Sequence, residues 1–205
     1  MENSTVYGFL DYVTLTNLTG GDPVSRQRRS MCLRKGSLEE LEDQICGYYI
    51  ALARHQIFEE CPQLTQSHFL SWLRLKKMSL STGWAASVNH FCPEGQDPFD
   101  FFFELTDEYR QLNFVKHLQC ELSEHHNPTR KRCKIGKDKK MEKPLHVTIC
   151  SYQPVNLFFL IMKFPKAVRT GHIFFDNGNI QLSLEYASKW CLDELQIESS
   201  EWSPA

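Results

Sequence analysis

Apolar residues recur at helical spacing through the first half of this chain and at strand spacing through the second. Ser37 followed by Glu40 makes a capping box, ahead of a stripe of Leu38, Leu41, Ile45, Tyr48, Tyr49 and Leu52. Glu39, Glu40, Glu42 and Asp43 crowd the first turn, where the helix dipole favours anions. A second helix is predicted from about Gln66 to Lys77, with Phe69, Trp72 and Leu73 inward and basic residues at its end. A short third one carries Trp84, Val88 and Phe91 and stops at Pro93. Beyond Asn113 the period changes. Phe114 to Leu122 alternates, with Leu118, Cys120 and Leu122 on one face and His117 on the other. Leu145, Val147 and Ile149 alternate in the next strand, and Leu157 to Met162 reads as a central strand buried on both faces. His172 to Phe175, the turn residues Asp176 to Asn179, and the alternating Ile180, Leu182, Leu184 and Tyr186 predict a hairpin. A last short helix carries Ala187, Trp190, Cys191 and Leu195. Helices first and strands afterwards imply an α+β fold, a helical N-terminal half followed by an antiparallel sheet with a C-terminal helix. The expected organisation is a single domain over 1–205, mainly helical over 1–112 and mainly strands over 113–205.

The segment between these halves holds the most distinctive pattern. Residues 97–108 read DPFDFFFELTDE, five acids threaded through four phenylalanines and a leucine. Asp97 is a natural N-cap and Pro98 fits the first helical position. At about 100° per residue, Asp100, Glu104, Asp107 and Glu108 share one arc. Phe99, Phe102, Leu105, Tyr109 and Leu112 share the other, with Phe101 and Phe103 at the borders. Such a stripe is most simply a solvated face. A protein-binding face, comprising Asp97, Asp100, Phe101, Phe103, Glu104, Asp107 and Glu108, is the alternative that carries function. Metal binding or acid–base work would need a desolvated carboxyl with a shifted pKa, which a solvated stripe does not supply.

Composition adds a charge separation. Between Thr129 and Lys143 eight basic residues stand against Asp138 and Glu142, so that segment carries +6 and leaves −8 for the rest of a chain whose net charge is −2. Arg130, Lys131, Arg132, Lys134, Lys137, Lys139 and Lys140 form a candidate phosphate- or partner-binding loop. No aromatic is interleaved to stack on bases, and the acidic body would repel a polyanion, so a solvated hairpin tip, mobile in the free protein, is the simpler expectation. The absence of a secretory signal, and of any apolar run longer than the six residues Leu157 to Met162, points to a cytoplasmic protein without a membrane partner. The eight cysteines then read mostly as reduced, buried thiols.

Conventional catalytic signatures are missing: there is no GxSxG elbow, no HExxH pair and no glycine-rich phosphate loop. His90 and Cys92 would make a dyad only by accident of the fold. His117, Cys120, His125, His126, Cys133, His146 and Cys150 gather near the basic loop, but at no zinc-ligand spacing and with His117 and Cys120 opposed. The expectation is therefore a non-enzymatic chain with no metal and no cofactor.

The stretches RRSMCLRKGSLEELEDQICGYYIALAR (28–54), FLSWLRLKK (69–77), GWAASVNHF (83–91) and DPFDFFFELTDEYRQL (97–112) resemble small bacterial cytosolic proteins of the immunity type, encoded beside polymorphic toxins. Gly47-Tyr48, Phe69, Trp72, Gly83-Trp84 and Phe102-Phe103-Glu104-Leu105 carry the resemblance, which spans the helical half and not the strand-rich one. It implies an inhibitor that neutralises a cognate toxin domain by direct contact, its carboxylates meeting a cationic surface and its aromatics acting as anchors. The alternative is a nucleic-acid-associated protein that uses the 129–143 loop.

Overall fold

Four helices occupy the first half of the described chain: α1 (Leu38–Arg54), α2 (His68–Leu75), α3 (Trp84–Phe91) and α4 (Pro98–Tyr109). Four long strands follow, β1 (Asn113–Glu121), β2 (His146–Gln153), β3 (Leu157–Phe164) and β4 (Ala167–Phe175), then helix α5 (Ile180–Leu195), a short 3-10 turn and a two-residue strand β5 (Ser203–Pro204). The computed structural model describes residues 6, 7, 10, 33, 36–122, 144–155, 157–175, 180–195, 197 and 199–205. Helices first, then an antiparallel sheet and a C-terminal helix, make this an α+β fold. The chain divides into two compact units, Met1–Ala51 with Glu59–Gln111, and Leu52–Phe58 with Leu112–Ala205.

The first unit is held by rings. Phe69 lies within 5.1–6.0 Å, centroid to centroid, of Trp72, Trp84, Phe102 and Tyr109. Trp84 stacks on Phe102 at 4.9 Å. Each such pair adds about 0.5–1.5 kcal/mol beyond the area that it buries. The helix starts are secured in three ways. Ser37 Oγ accepts from the Glu40 amide at 3.3 Å, as the capping box predicts. Asp97 Oδ1 accepts from the Phe99 amide at 2.8 Å, with Pro98 in the first turn. α3 starts at Gly83, which has no side chain to cap with; Glu42 Oε1, from α1, accepts from the Trp84 amide at 3.0 Å and the Ala85 amide at 3.4 Å. Gln66 Nε2 donates to the same oxygen. A Cβ on Gly83 would come 2.9 Å from Gln66 Nε2 and 3.1 Å from Glu42 Oε1, and its φ of +128° suits glycine, so the close approach requires this residue.

In the second unit the strands pair antiparallel in the order β4-β3-β2-β1-β5. β3 is buried from Leu157 to Ile161, the central strand that its continuous apolar run predicts. One sheet face carries Cys120, Leu122, Val147, Ile149, Phe158 and Leu160, covered by Ala187 and Cys191 of α5 and by Ile197. On the other, Phe159 packs against Tyr152 at 4.8 Å and Phe114 at 6.1 Å, and Phe58 against Phe114 at 5.8 Å.

Two strand expectations are corrected. Residues 180–186 are the start of α5, not the return strand of a hairpin with 172–175. β4 instead pairs with β3 through the two-residue turn Pro165-Lys166, while 176–179 lie outside the described residues. Apolar residues at 180, 182 and 184 satisfy alternation, yet Leu184, Ala187 and Cys191 also follow each other at helical spacing, and burial of Ala187 and Cys191 on the sheet favours the helix. The second correction is a bulge in β1. Lys116 pairs with Cys150 but Leu118 with Ile149, so His117 is the extra residue. Its ring reaches Ser151 and stacks on Phe158, which shares a core with Cys120; the two residues face the same way, not opposite ways.

Candidate functional site

α4 brings the acidic stripe to the surface by burying everything opposite to it. Phe99, Phe102, Phe103, Leu105, Thr106 and Tyr109 are buried, and Thr106 satisfies its hydroxyl on the Phe103 carbonyl at 3.0 Å. Asp97, Asp100, Glu104, Asp107 and Glu108 are exposed, as the helical arc predicts. The aromatic rim is narrower than expected. Phe103 is only 8% exposed and packs edge-on against Phe102 at 5.5 Å, so it belongs to the core; Phe101 is half-buried.

The stripe is not uniform electrostatically. Lys76, at the end of α2, pairs with Glu108 at 2.7 Å while its ammonium lies 4.9 Å from the centre of the Trp72 ring. Arg110 pairs with Asp107 at 2.9 Å. Asp97 is occupied in capping. Asp100 and Glu104, one turn apart on the exposed side, form the middle of the face. Like charges at this spacing repel by about 0.2–0.5 kcal/mol. Cys92 borders the same face; burial, with Asp97 and Glu104 close by, pushes its thiol up, and its Sγ donates to the Gln96 carbonyl at 3.4 Å. No hydrogen bond joins it to His90, which instead sets its ring edge-on to Phe91 at 4.8 Å, so the two form no dyad among the described residues.

The remaining sequence candidates fall elsewhere. Arg130, Lys131, Arg132, Lys134, Lys137, Lys139 and Lys140, with His125, His126 and Cys133, lie outside the described residues. His117 Nε2 is 2.8 Å from Ser151 Oγ, and Gln153 Nε2 donates to the same hydroxyl at 2.9 Å. Burial lowers the His117 pKa and keeps the ring neutral, as a nucleophile–base pair would need. Ser151, however, is completely buried, so the pair serves packing. Among the described residues no three His, Cys, Asp or Glu side chains gather as metal ligands would, and no helix is long and apolar enough to cross a membrane. The six described cysteines are free thiols; Cys120, Cys150 and Cys191 are buried, whereas Cys46 is exposed.

A polar cluster in the first unit has no counterpart in the sequence reading. Four tyrosines converge on the segment 59–64. Tyr48 donates to Glu59 Oε1, Tyr7 to the Pro62 carbonyl at 2.5 Å and Tyr109 to the Gln63 carbonyl at 3.1 Å, while the Tyr49 hydroxyl accepts from the Leu64 amide at 3.2 Å. Burial raises Glu59 above the ordinary carboxyl range and pushes Cys61 up to about 12. Nearby, burial drives His68 down to about 3, which keeps it neutral. Nothing in the run Glu59-Glu60-Cys61-Pro62 has a period, and the partners Tyr48 and Tyr7 are 11 and 55 positions away, so no local pattern points to it.

Compared with known proteins, the chain matches no family model, and neither a curated protein nor a solved structure is detectably similar to it.

Proposed function

We propose that this chain works by binding another protein and carries out no reaction of its own. The supporting observation is the division of α4: its apolar arc is consumed by the core, and Asp100 and Glu104 remain together on its exposed side. Charges so placed add little to folding and instead govern encounter with a basic surface, its rate and its salt dependence. The concrete version is an immunity-type inhibitor of a basic toxin domain, supported by the resemblance of the helical half. Asp100 and Glu104 meet the toxin's cations, Phe101 adds apolar contact, and Asp107 and Glu108, paired with Arg110 and Lys76, form the rim.

The test is co-expression with a toxin gene found beside the gene for this chain, comparing wild type with Asp100→Lys/Glu104→Lys. Wild type is expected to restore growth and the double variant to fail, with the purified complex weakened at least about tenfold. The thermal midpoint should stay within a few degrees, since exposed substitutions cost under about 0.5 kcal/mol. Equal protection by the double variant would move the interface off α4. Failure of the wild type to protect, together with a salt-dependent shift of labelled RNA or DNA, would instead favour the 129–143 loop as the working part.

A further inference from the structure

Glu59 is 9% exposed, and among the described residues no other Asp or Glu is buried. Three parts of the first unit face it. From α1, the Tyr48 hydroxyl donates to Oε1, with Tyr49 beside it. From the N-terminal residues, the Val6 amide donates to the carboxyl, and Tyr7 ties the same stretch to Pro62. From its own segment comes the Cys61 thiol, held protonated by burial. None of these groups is a cation, and no ion pair of Glu59 exists among the described residues. Its second oxygen, Oε2, is sealed from solvent and has no hydrogen-bond partner. An anion here would leave one oxygen with neither donor nor counter-charge, whereas a neutral acid leaves only a hydroxyl without an acceptor, a smaller penalty.

We infer that Glu59 is carried as the neutral acid in the folded protein, and that its ionisation loosens Val6 and Tyr7 from the 59–62 segment, so that this corner of the fold senses proton concentration. Val6 is buried, its amide is held by the carboxyl and the neighbouring Tyr7 hydroxyl by the Pro62 carbonyl, so the anion's demand for water is met most readily by opening at this point. The linkage has a definite sign. An acid whose folded-state pKa lies above its unfolded value adds stability below the unfolded value and loses it as pH rises through the folded value. Glu42, also raised by burial, and the lowered His68, His117 and His146 add a background that is common to wild type and to any Glu59 variant.

The deciding experiment is a pH titration of the glutamate carboxyl carbons by NMR on the full chain, with Glu59 assigned through its own backbone and checked by its loss in Glu59→Gln. Its midpoint is expected above those of the exposed glutamates. Tyr48→Phe should move it further up, because the hydroxyl stabilises the anion; a merely structural role for Tyr48 would not shift it in that direction. Protection of the Val6 amide against hydrogen exchange, corrected for intrinsic rate, should fall at least about tenfold across the same midpoint. In Glu59→Gln that step should vanish. If this variant does not fold, the wild-type and Tyr48→Phe titrations still decide. An ordinary or depressed midpoint would overturn the neutral acid, and unchanged Val6 protection would overturn its coupling to the N-terminal residues.

Discussion

At the scale of single residues, the decisive contacts in this protein are carboxylates doing different work. Asp97 caps α4 locally, and Glu42 caps α3 from another helix. Glu104 stands on the surface. Asp97→Ala and Glu42→Ala are each expected to cost about 0.5–2 kcal/mol, the range for a lost N-cap. Glu42→Ala belongs at the upper end, because Gln66 loses a partner along with the two amides. Glu104→Lys should change stability by less than about 0.5 kcal/mol. Urea midpoints at neutral pH check all three, and a large loss for Glu104→Lys would mean that its carboxylate is structural.

Among the elements, α5 is the most informative, because its first half alternates like a strand. Tyr186 is 68% exposed, and Ala187 and Cys191 are fully buried with Lys189 exposed between them, the arrangement of a helix lying on the sheet. Tyr186→Ala is therefore expected to be neutral or to stabilise by up to about 0.5 kcal/mol, since alanine is the better helix former at an exposed position. In a strand the same change would remove a favoured aromatic and destabilise. Ala187→Leu should cost about 1–3 kcal/mol by overpacking against the strands. Thermal unfolding of the two variants distinguishes helix from strand here. α4 carries a related lesson: its buried arc takes in Phe103 and Thr106, wider than the stripe that spacing alone outlines.

For the whole molecule, one buried histidine, His68, and two half-buried ones, His117 and His146, are expected to lower stability in acid. His68, held down to about 3 by burial, binds a proton in the unfolded chain at about pH 6.5 but not in the folded one. His117 and His146 are lowered in the same direction by burial, and Lys163 and Lys116 add to the effect at His146. A group depressed in the folded state makes the protein lose stability as pH falls from its unfolded value to its folded one. The urea midpoint should thus decline from about pH 6.5 towards about pH 3, and His68→Gln should flatten much of that slope even if it lowers stability at neutral pH. A parallel decline in wild type and variant would show that His68 takes up its proton in the folded state.

The α+β order, the start of α1 at Ser37, the cap and limits of α4, and the strands through Ile161 are legible in the amino-acid sequence. Each is fixed by neighbours within a few positions: a hydroxyl three residues before an amide, a ring recurring every three or four, an apolar residue every two. Only the tertiary structure decided the rest. Residues 180–186 fit two periods, and the choice fell to the sheet that buries Ala187 and Cys191. The β1 bulge turns His117 towards Ser151, a partner 34 positions away. The acidic residues of α4 could be read as a face, but only the fold pairs Glu108 with Lys76, 32 positions before it, and sets Arg110 against Asp107. Glu42 and Glu59 look like ordinary surface acids in sequence; one becomes a cap and the other a buried carboxyl because packing brings amides and hydroxyls to them from distant segments. A side chain's local pattern determines which way it faces, and its electrostatic environment is set by whatever the fold places on that side.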